Sequence, residues 1–211
     1  MGRAALERSQ RQGGRSGSCP RPLARCHVDR RTFTTAVVLI PPGEVHPAIQ
    51  AIRRVHDRHC KRWMPHITLL YPFRPRHEFA CLADRFSAVC EGIEPFQVTL
   101  AEMRCFRHRR ESYTLWLAPE PKDALVRLQA VLGSVVPDCD DVVRHRDGFT
   151  PHVSVGQVRG ERQMLALQRS LQAAWQPMAF TAYEISLIWR GEPPDDVFRV
   201  GQTVRLGAEE L

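Results

Sequence analysis

The sequence predicts an α+β fold: two lobes related by a pseudo-twofold axis, each an antiparallel-rich sheet with helices packed outside, and a central cleft between them. Three observations carry that reading. A seven-residue pattern occurs twice, as Trp63-Met64-Pro65-His66-Ile67-Thr68-Leu69 and as Phe149-Thr150-Pro151-His152-Val153-Ser154-Val155, its histidines 86 residues apart. Strand-like and helix-like segments follow one another in the same order around each copy. No apolar run approaches the roughly 20 residues of a membrane span, and a hydrophobic content of 43% with 25% charged residues is ordinary for a globular chain.

The elements follow from apolar spacing. Thr32 to Ile40 is β-branched and aliphatic and ends at Pro41-Pro42-Gly43, the signature of a strand and a turn. Residues 46–60 place Ile49, Ile52, Val55 and Cys60 at helical spacing, with Arg53, Arg54 and Arg58 read as the solvent side. Met64 to Tyr71 is the first motif strand, stopped by Pro72 and Pro75. A stripe of Phe79, Leu82, Phe86 and Val89 predicts a helix over 78–91. Phe96 to Phe106 and Ser112 to Leu117 read as two strands around a polar turn, and Leu125, Leu128, Leu132 and Val135 predict a helix over 121–136. The polar segment between Val136 and Phe149 reads as a long loop able to act as a lid. Pro151 to Gln157 is the second motif strand, 160–175 a helix through Met164, Leu167 and Leu171, and Met178 to Trp189 with Val197 to Leu206 a closing pair of strands.

Charge divides the chain. Residues 1–31 hold eight Arg against Glu7 and Asp29, which is +6 of the net +7. That segment has few aliphatics and reads as a disordered Arg-rich tail, 1–31, ahead of one bilobal domain, 32–211. The domain itself is close to neutral, so the overall basicity says nothing about what it binds. Seven Cys, an odd number with no C-x-x-C pair, read as reduced thiols of a cytoplasmic or nuclear protein. No membrane association is expected, and the chain is read as a monomer.

Side chains alternate along a strand, so in each motif the His and the hydroxyl residue share one face and the aliphatics the other. Two such strands facing one cleft present two imidazoles and two hydroxyls. Histidine titrates near neutrality, so one imidazole can take a proton from water while the other gives one to a leaving oxygen. Thr68 and Ser154 then hydrogen-bond nonbridging phosphoryl oxygens. This chemistry needs no metal and no cofactor. A zinc site competes for paired His, but needs about three ligands, and neither motif has Asp, Glu or Cys at the flanking positions of the same face.

The strings Pro65-His66-Ile67-Thr68-Leu69 and Pro151-His152-Val153-Ser154-Val155 resemble the paired signatures of the two-histidine phosphoesterases, the 2′-5′ RNA ligase-like or LigT-like superfamily. The longer contexts, Arg62 to Phe73 and Gly148 to Gln157, resemble a eukaryotic branch of it. The resemblance covers about residues 32–206. It implies a bilobal α+β fold with His66 and His152 as the acid–base pair and Thr68 and Ser154 as phosphate ligands. Ser154 stands where Thr is common and keeps the hydroxyl. It also implies partners that are RNA 3′ ends, with 2′,3′-cyclic phosphates or 2′,5′ linkages, or small cyclic nucleotides.

Tyr71 and Trp189 are the stacking candidates for a base, Arg190 a phosphate contact, and the run Arg104, Arg107, His108, Arg109 and Arg110 a surface along which an RNA backbone can track. The expected activity is a metal-independent phosphodiesterase or cyclic phosphodiesterase, with ligation as its reverse. The alternatives are a non-catalytic RNA- or nucleotide-binding module, and a partner-binding scaffold that uses the tail.

Overall fold

A computed structural model describes residues 31–144 and 148–208. The tail expectation lies outside these residues except at Arg31, which pairs with Asp140 and Asp141. Among the described residues, eight strands and four α-helices follow in the order β1 (Thr35–Leu39), α1 (His46–His56), β2 (Ile67–Leu70), α2 (Phe79–Cys90), β3 (Phe96–Arg107), β4 (Ser112–Glu120), α3 (Lys122–Val135), β5 (Val153–Arg159), α4 (Glu161–Ala174), β6 (Met178–Ala182), β7 (Glu184–Trp189) and β8 (Arg199–Arg205). They form two four-stranded sheets, β2-β1-β7-β8 and β5-β4-β3-β6, with every pairing antiparallel. This is the expected α+β architecture. Among the described residues, no helix is long and apolar enough to cross a membrane.

The halves exchange strands. β3 closes the first motif's half in sequence but pairs with β4 in the second sheet, while β7 returns from the far end to pair with β1. The continuous strand expected over 178–189 is broken at the exposed Tyr183, where the chain leaves one sheet for the other. Helices cross over as well: α1 packs on β5, and α3 on β2. The two motif strands are thus each flanked by a helix from the other half.

One apolar core runs through both sheets, with Val37, Leu69 and Leu187 from the first and Leu100, Leu115 and Val153 from the second. A smaller cluster of Ala36, Val38, Ile188 and Phe198 lies apart from it, with Trp63, Met64 and Tyr71 packed alongside. The alternation Ala36/Val38 against Val37/Leu39 places these clusters on opposite faces of the first sheet.

Helix α1 departs from the amphipathic reading. Val55 is 74% exposed, whereas Arg53 is 2% exposed. Arg53 is buried because Asp57, one turn later, accepts from its Nε at 2.8 Å. Pairing removes the cost that would otherwise hold a guanidinium in water. Of the cysteines, Cys60, Cys90, Cys105 and Cys139 are free. Cys81 is disulfide-bonded, which departs from the all-reduced expectation.

Candidate active site

The motif strands begin later than the sequence suggests, at Ile67 rather than Met64 and at Val153 rather than Pro151, so His66 and His152 stand at the mouths of β2 and β5 rather than within them. Proline explains the boundary: Pro65 and Pro151 have no N–H for the ladder and hold the preceding residue extended. The alternation still extends through both histidines. Ile67, Leu69, Val153 and Val155 are fully buried, while His66, Thr68, His152 and Ser154 are half-buried.

Each histidine is fixed by the same local bond. His66 Nδ1 lies 2.7 Å from the Met64 carbonyl oxygen, and His152 Nδ1 lies 2.8 Å from the Thr150 carbonyl oxygen. A carbonyl can only accept, so Nδ1 carries the proton in both rings and Nε2 is the nitrogen that titrates. The sequence repeat is therefore a repeat of tautomer.

Aromatic rings hold the imidazoles in orientation. Trp63 stacks on His66 with centroids 4.7 Å apart and an interplanar angle of 18°. Phe106 and Trp116 meet His152 edge-on at 4.9 and 5.9 Å. Sequence reasoning missed Phe106 and Trp116 as neighbours of the site. The register supplies the signal, since Trp116 on β4 is the cross-strand partner of Ser154 on β5.

The two imidazoles feel one another. Burial pushes His66 down to about 4, and the positive charges of Arg53 and His152 push the same way against the Met64 hydrogen bond and Asp57. His66 is thus neutral at pH 7, with a lone pair on Nε2. An unfolded histidine titrates near 6.5, so protonation favours the unfolded chain. Its contribution to stability is complete above about pH 6.5, is lost as pH falls toward 4, and is flat below. Thermal unfolding across pH 7.5 to 4 should show a smaller acid-side fall in midpoint for His66→Asn than for the parent. Identical falls would mean that the ring titrates normally.

The flanking candidates separate. Tyr71 belongs with the site: its ring lies 5.6 Å from Trp63, in the cluster beside His66. Arg190 is on the same wall, its guanidinium 5.7 Å from the Phe198 ring, which in turn stacks on Trp63 at 3.7 Å. Trp189 does not join them. It is register-paired with Thr35, packs against the main core, and has the Arg76 guanidinium 3.7 Å over its ring. The neighbouring Ile188 occupies the face toward Phe198 instead. The basic run lies on the β3–β4 hairpin, where Arg107, His108, Arg109 and Arg110 are exposed and Arg104 pairs with Glu102. His145, Arg146 and Asp147 of the expected lid lie outside the described residues, and beside them Asp140 pairs with Arg144 at 2.8 Å.

Among the described residues, no three His, Cys, Asp or Glu side chains gather as a metal centre requires. A cavity of about 820 Å³ lies away from the histidines, lined by Ile40, Pro95, Tyr183, Glu184 and Arg205 among others.

Comparison with known proteins bears on the family and the fold. A family model described as the 2′-5′ RNA ligase superfamily matches residues 41–194. A Geobacillus kaustophilus (strain HTA426) protein named "putative phosphoesterase" is 27% identical over 123 residues, 57% of this chain and 67% of its own length. Solved structures that share the fold include the following two. TT0787 of Thermus thermophilus aligns with a TM-score of 0.54 at 20% identity, over 84% of this chain and all of its own. Escherichia coli LigT complexed with 3′-AMP aligns with a TM-score of 0.53 at 17% identity, over 82% of this chain and 98% of its own.

Proposed function

Because this chain belongs to the 2′-5′ RNA ligase superfamily, we propose that it is a metal-independent phosphodiesterase or cyclic phosphodiesterase that acts on RNA ends carrying a 2′,3′-cyclic phosphate or a 2′,5′ linkage. The observation that carries the reading is the pair of Nδ1-anchored imidazoles at the mouths of the two motif strands, His66 being held neutral by burial and by the positive charges of Arg53 and His152. The nucleoside phosphate in the E. coli LigT neighbour, and the phosphoesterase name of the Geobacillus relative, support a small phosphorylated nucleotide as the minimal ligand.

On a 2′,3′-cyclic phosphate, His66 Nε2 takes a proton from water as the water oxygen bonds to phosphorus. The bond from phosphorus to O3′ breaks, and His152 Nε2–H delivers its proton to O3′. The product is a 2′-phosphate with a free 3′-hydroxyl, and exchange with solvent resets the two rings. His66 suits the base role because its folded environment keeps it neutral. Thr68 and Ser154 donate their hydroxyl protons to the nonbridging oxygens, where negative charge builds. With a 5′-hydroxyl in place of the water, the same steps open the cyclic phosphate into a 2′,5′ linkage and so join two ends: His66 takes the 5′-hydroxyl proton, O5′ bonds to phosphorus, and His152 protonates the departing O3′.

The deciding experiment incubates the protein, with EDTA present, with oligonucleotides ending in 2′,3′-cyclic phosphate, with 2′,5′-linked oligoadenylate, and with cyclic mononucleotides. Turnover of one class supports the reading. Binding without turnover of any class favours a non-catalytic module, and partner capture that depends on residues 1–31 alone favours a scaffold. The kcat/KM profile should hold its acid limb well below pH 6.5, toward 4, since that limb reports the base of the free enzyme. An acid limb at 6.5 assigns the base elsewhere.

The hairpin makes a separate prediction. Replacing Arg107, Arg109 and Arg110 together by Ser should raise KM for a ten-nucleotide substrate several-fold and flatten its salt dependence. A cyclic mononucleotide should be unaffected. Equal effects on both substrates would remove the hairpin from the RNA path.

A further inference from the structure

The two motifs are alike through the third residue after the histidine, and by the fifth they serve different ends. In the first, that residue is Tyr71, whose hydroxyl donates to the Phe33 carbonyl at 3.3 Å. In the second it is Gln157, which reaches across to the other half. Gln157 Nε2 donates to Asp57 Oδ1 at 3.1 Å, and Gln157 Oε1 accepts from the Arg58 backbone N–H at 3.1 Å. The tie therefore joins β5 to the turn that leaves α1.

That turn is itself immobilised. Asp57 Oδ2 accepts from Arg53 Nε at 2.8 Å, and Oδ1 also accepts from the His59 N–H at 2.9 Å. Arg53 Nη1 donates to Gln50 Oε1 at 3.2 Å. Next to Gln157, Gly156 lies against the end of α1 so closely that a Cβ there would sit 2.7 Å from His56 Cβ and 3.2 Å from the His56 carbonyl oxygen. The missing side chain is what permits the approach. Asp57 precedes His66 by nine residues, and Gln157 follows His152 by five. The two hydrogen bonds therefore link the segment that leads to His66 with the strand that follows His152.

We propose that Gln157 is a positioning residue for the two-histidine reaction, its paired hydrogen bonds to the Asp57–Arg58 turn setting the separation of the His66 and His152 imidazoles. Acid–base catalysis at one phosphorus depends steeply on where the two nitrogens stand, and a displacement of about 1 Å can cost about 10²-fold. The kinetic part of this inference rests on the function proposed above; the geometric part does not.

Two variants open the tie by different routes. Gln157→Met keeps the length of the side chain and loses both hydrogen bonds. Gly156→Ala keeps them but forces β5 away from α1. Both are compared with the parent for thermal midpoint, for kcat and KM on the hydrolysed substrate, and for the titration of the His66 imidazole by nitrogen-15 NMR, each with and without His152→Asn. In the parent, His152→Asn should raise the His66 titration point, because a like charge is removed. In both tie variants that rise should shrink by half or more. Their kcat should fall roughly tenfold or more with KM within about threefold. Unchanged kcat and an undiminished rise in a folded Gln157→Met protein would overturn the proposal, as would a loss of kcat that only tracks a loss of thermal midpoint. If the parent hydrolyses nothing, the proposed function fails, and the titration alone still decides whether Gln157 sets the gap.

Discussion

His152→Ala is expected to slow hydrolysis by about 10²-fold or more, and His66→Ala by a comparable factor, with both proteins folded as the parent is. Positioned proton transfer contributes roughly 10²- to 10⁴-fold. Neither ring holds the structure together: each is half-buried, and each is anchored by a bond to a carbonyl two residues earlier in its own segment. The double variant should lose little more than the worse single one, because a base without its acid already stalls the displacement. Thr68→Ala and Ser154→Ala should cost less than either His variant, each removing one hydroxyl donor to a phosphoryl oxygen while leaving proton transfer in place. Parental rates in both histidine variants, with circular dichroism and thermal midpoints unchanged, would sink the acid–base assignment.

Asp57→Ala is expected to be the most destabilising single change in the region, by about 3–5 kcal/mol, because it strands a buried guanidinium. The Arg53 and Asp57 side chains are 2% and 3% exposed. Burial alone would push the Asp57 carboxyl up, but the His59 N–H, Arg53 and Gln157 together hold it below the usual carboxylate range, so it is ionised at neutral pH. Removing it leaves Arg53 with the neutral Gln50 amide and without the counter-charge on its own helix. For a domain of this size, a loss of that order lowers the thermal midpoint by roughly 10 °C. Replacing both partners with apolar residues of similar volume should recover most of the loss, since no charge is then buried. Urea denaturation of the single and double variants checks both statements; a cost below about 1 kcal/mol for Asp57→Ala would mean that Arg53 finds water or another anion.

The elements were legible because their apolar spacing is regular, and the site was legible because it is written twice. The stripes Leu125/Leu128/Leu132 and Phe79/Leu82/Phe86 are fully buried or nearly so, and both became helices within a residue or two of the expected ends. What failed was pairing and phase. The β3–β4 hairpin was legible from its polar turn, but nothing local says that β6 belongs beside β3 and β7 beside β1, because these partners are chosen across the chain. Trp189 shows the phase error: a shift of one residue exchanges faces, and Ile188 rather than Trp189 turned toward Phe198. Arg53 shows the charge error. Helical periodicity assigns an arginine to solvent unless a partner is recognised, and here the partner was the aspartate one turn on. Phe106 and Trp116 were hidden for a third reason: Trp116 reaches His152 through the register of the neighbouring strand, and Phe106, stacked on Trp116, from the strand beyond it, which no single segment encodes.

The exchange of strands has a consequence for how such a molecule is made. Thr35 meets Trp189 in the first sheet, so one of the two neighbours of β1 lies 189 − 35 = 154 residues further along and is synthesised after both histidines. A ribosome-bound chain that already contains both histidines still lacks β7 and β8, leaving one flank of β1 unpaired and open to other chains. Neither repeat is a self-sufficient folding unit, and cutting the gene between the repeats should give two insoluble fragments rather than two half-enzymes.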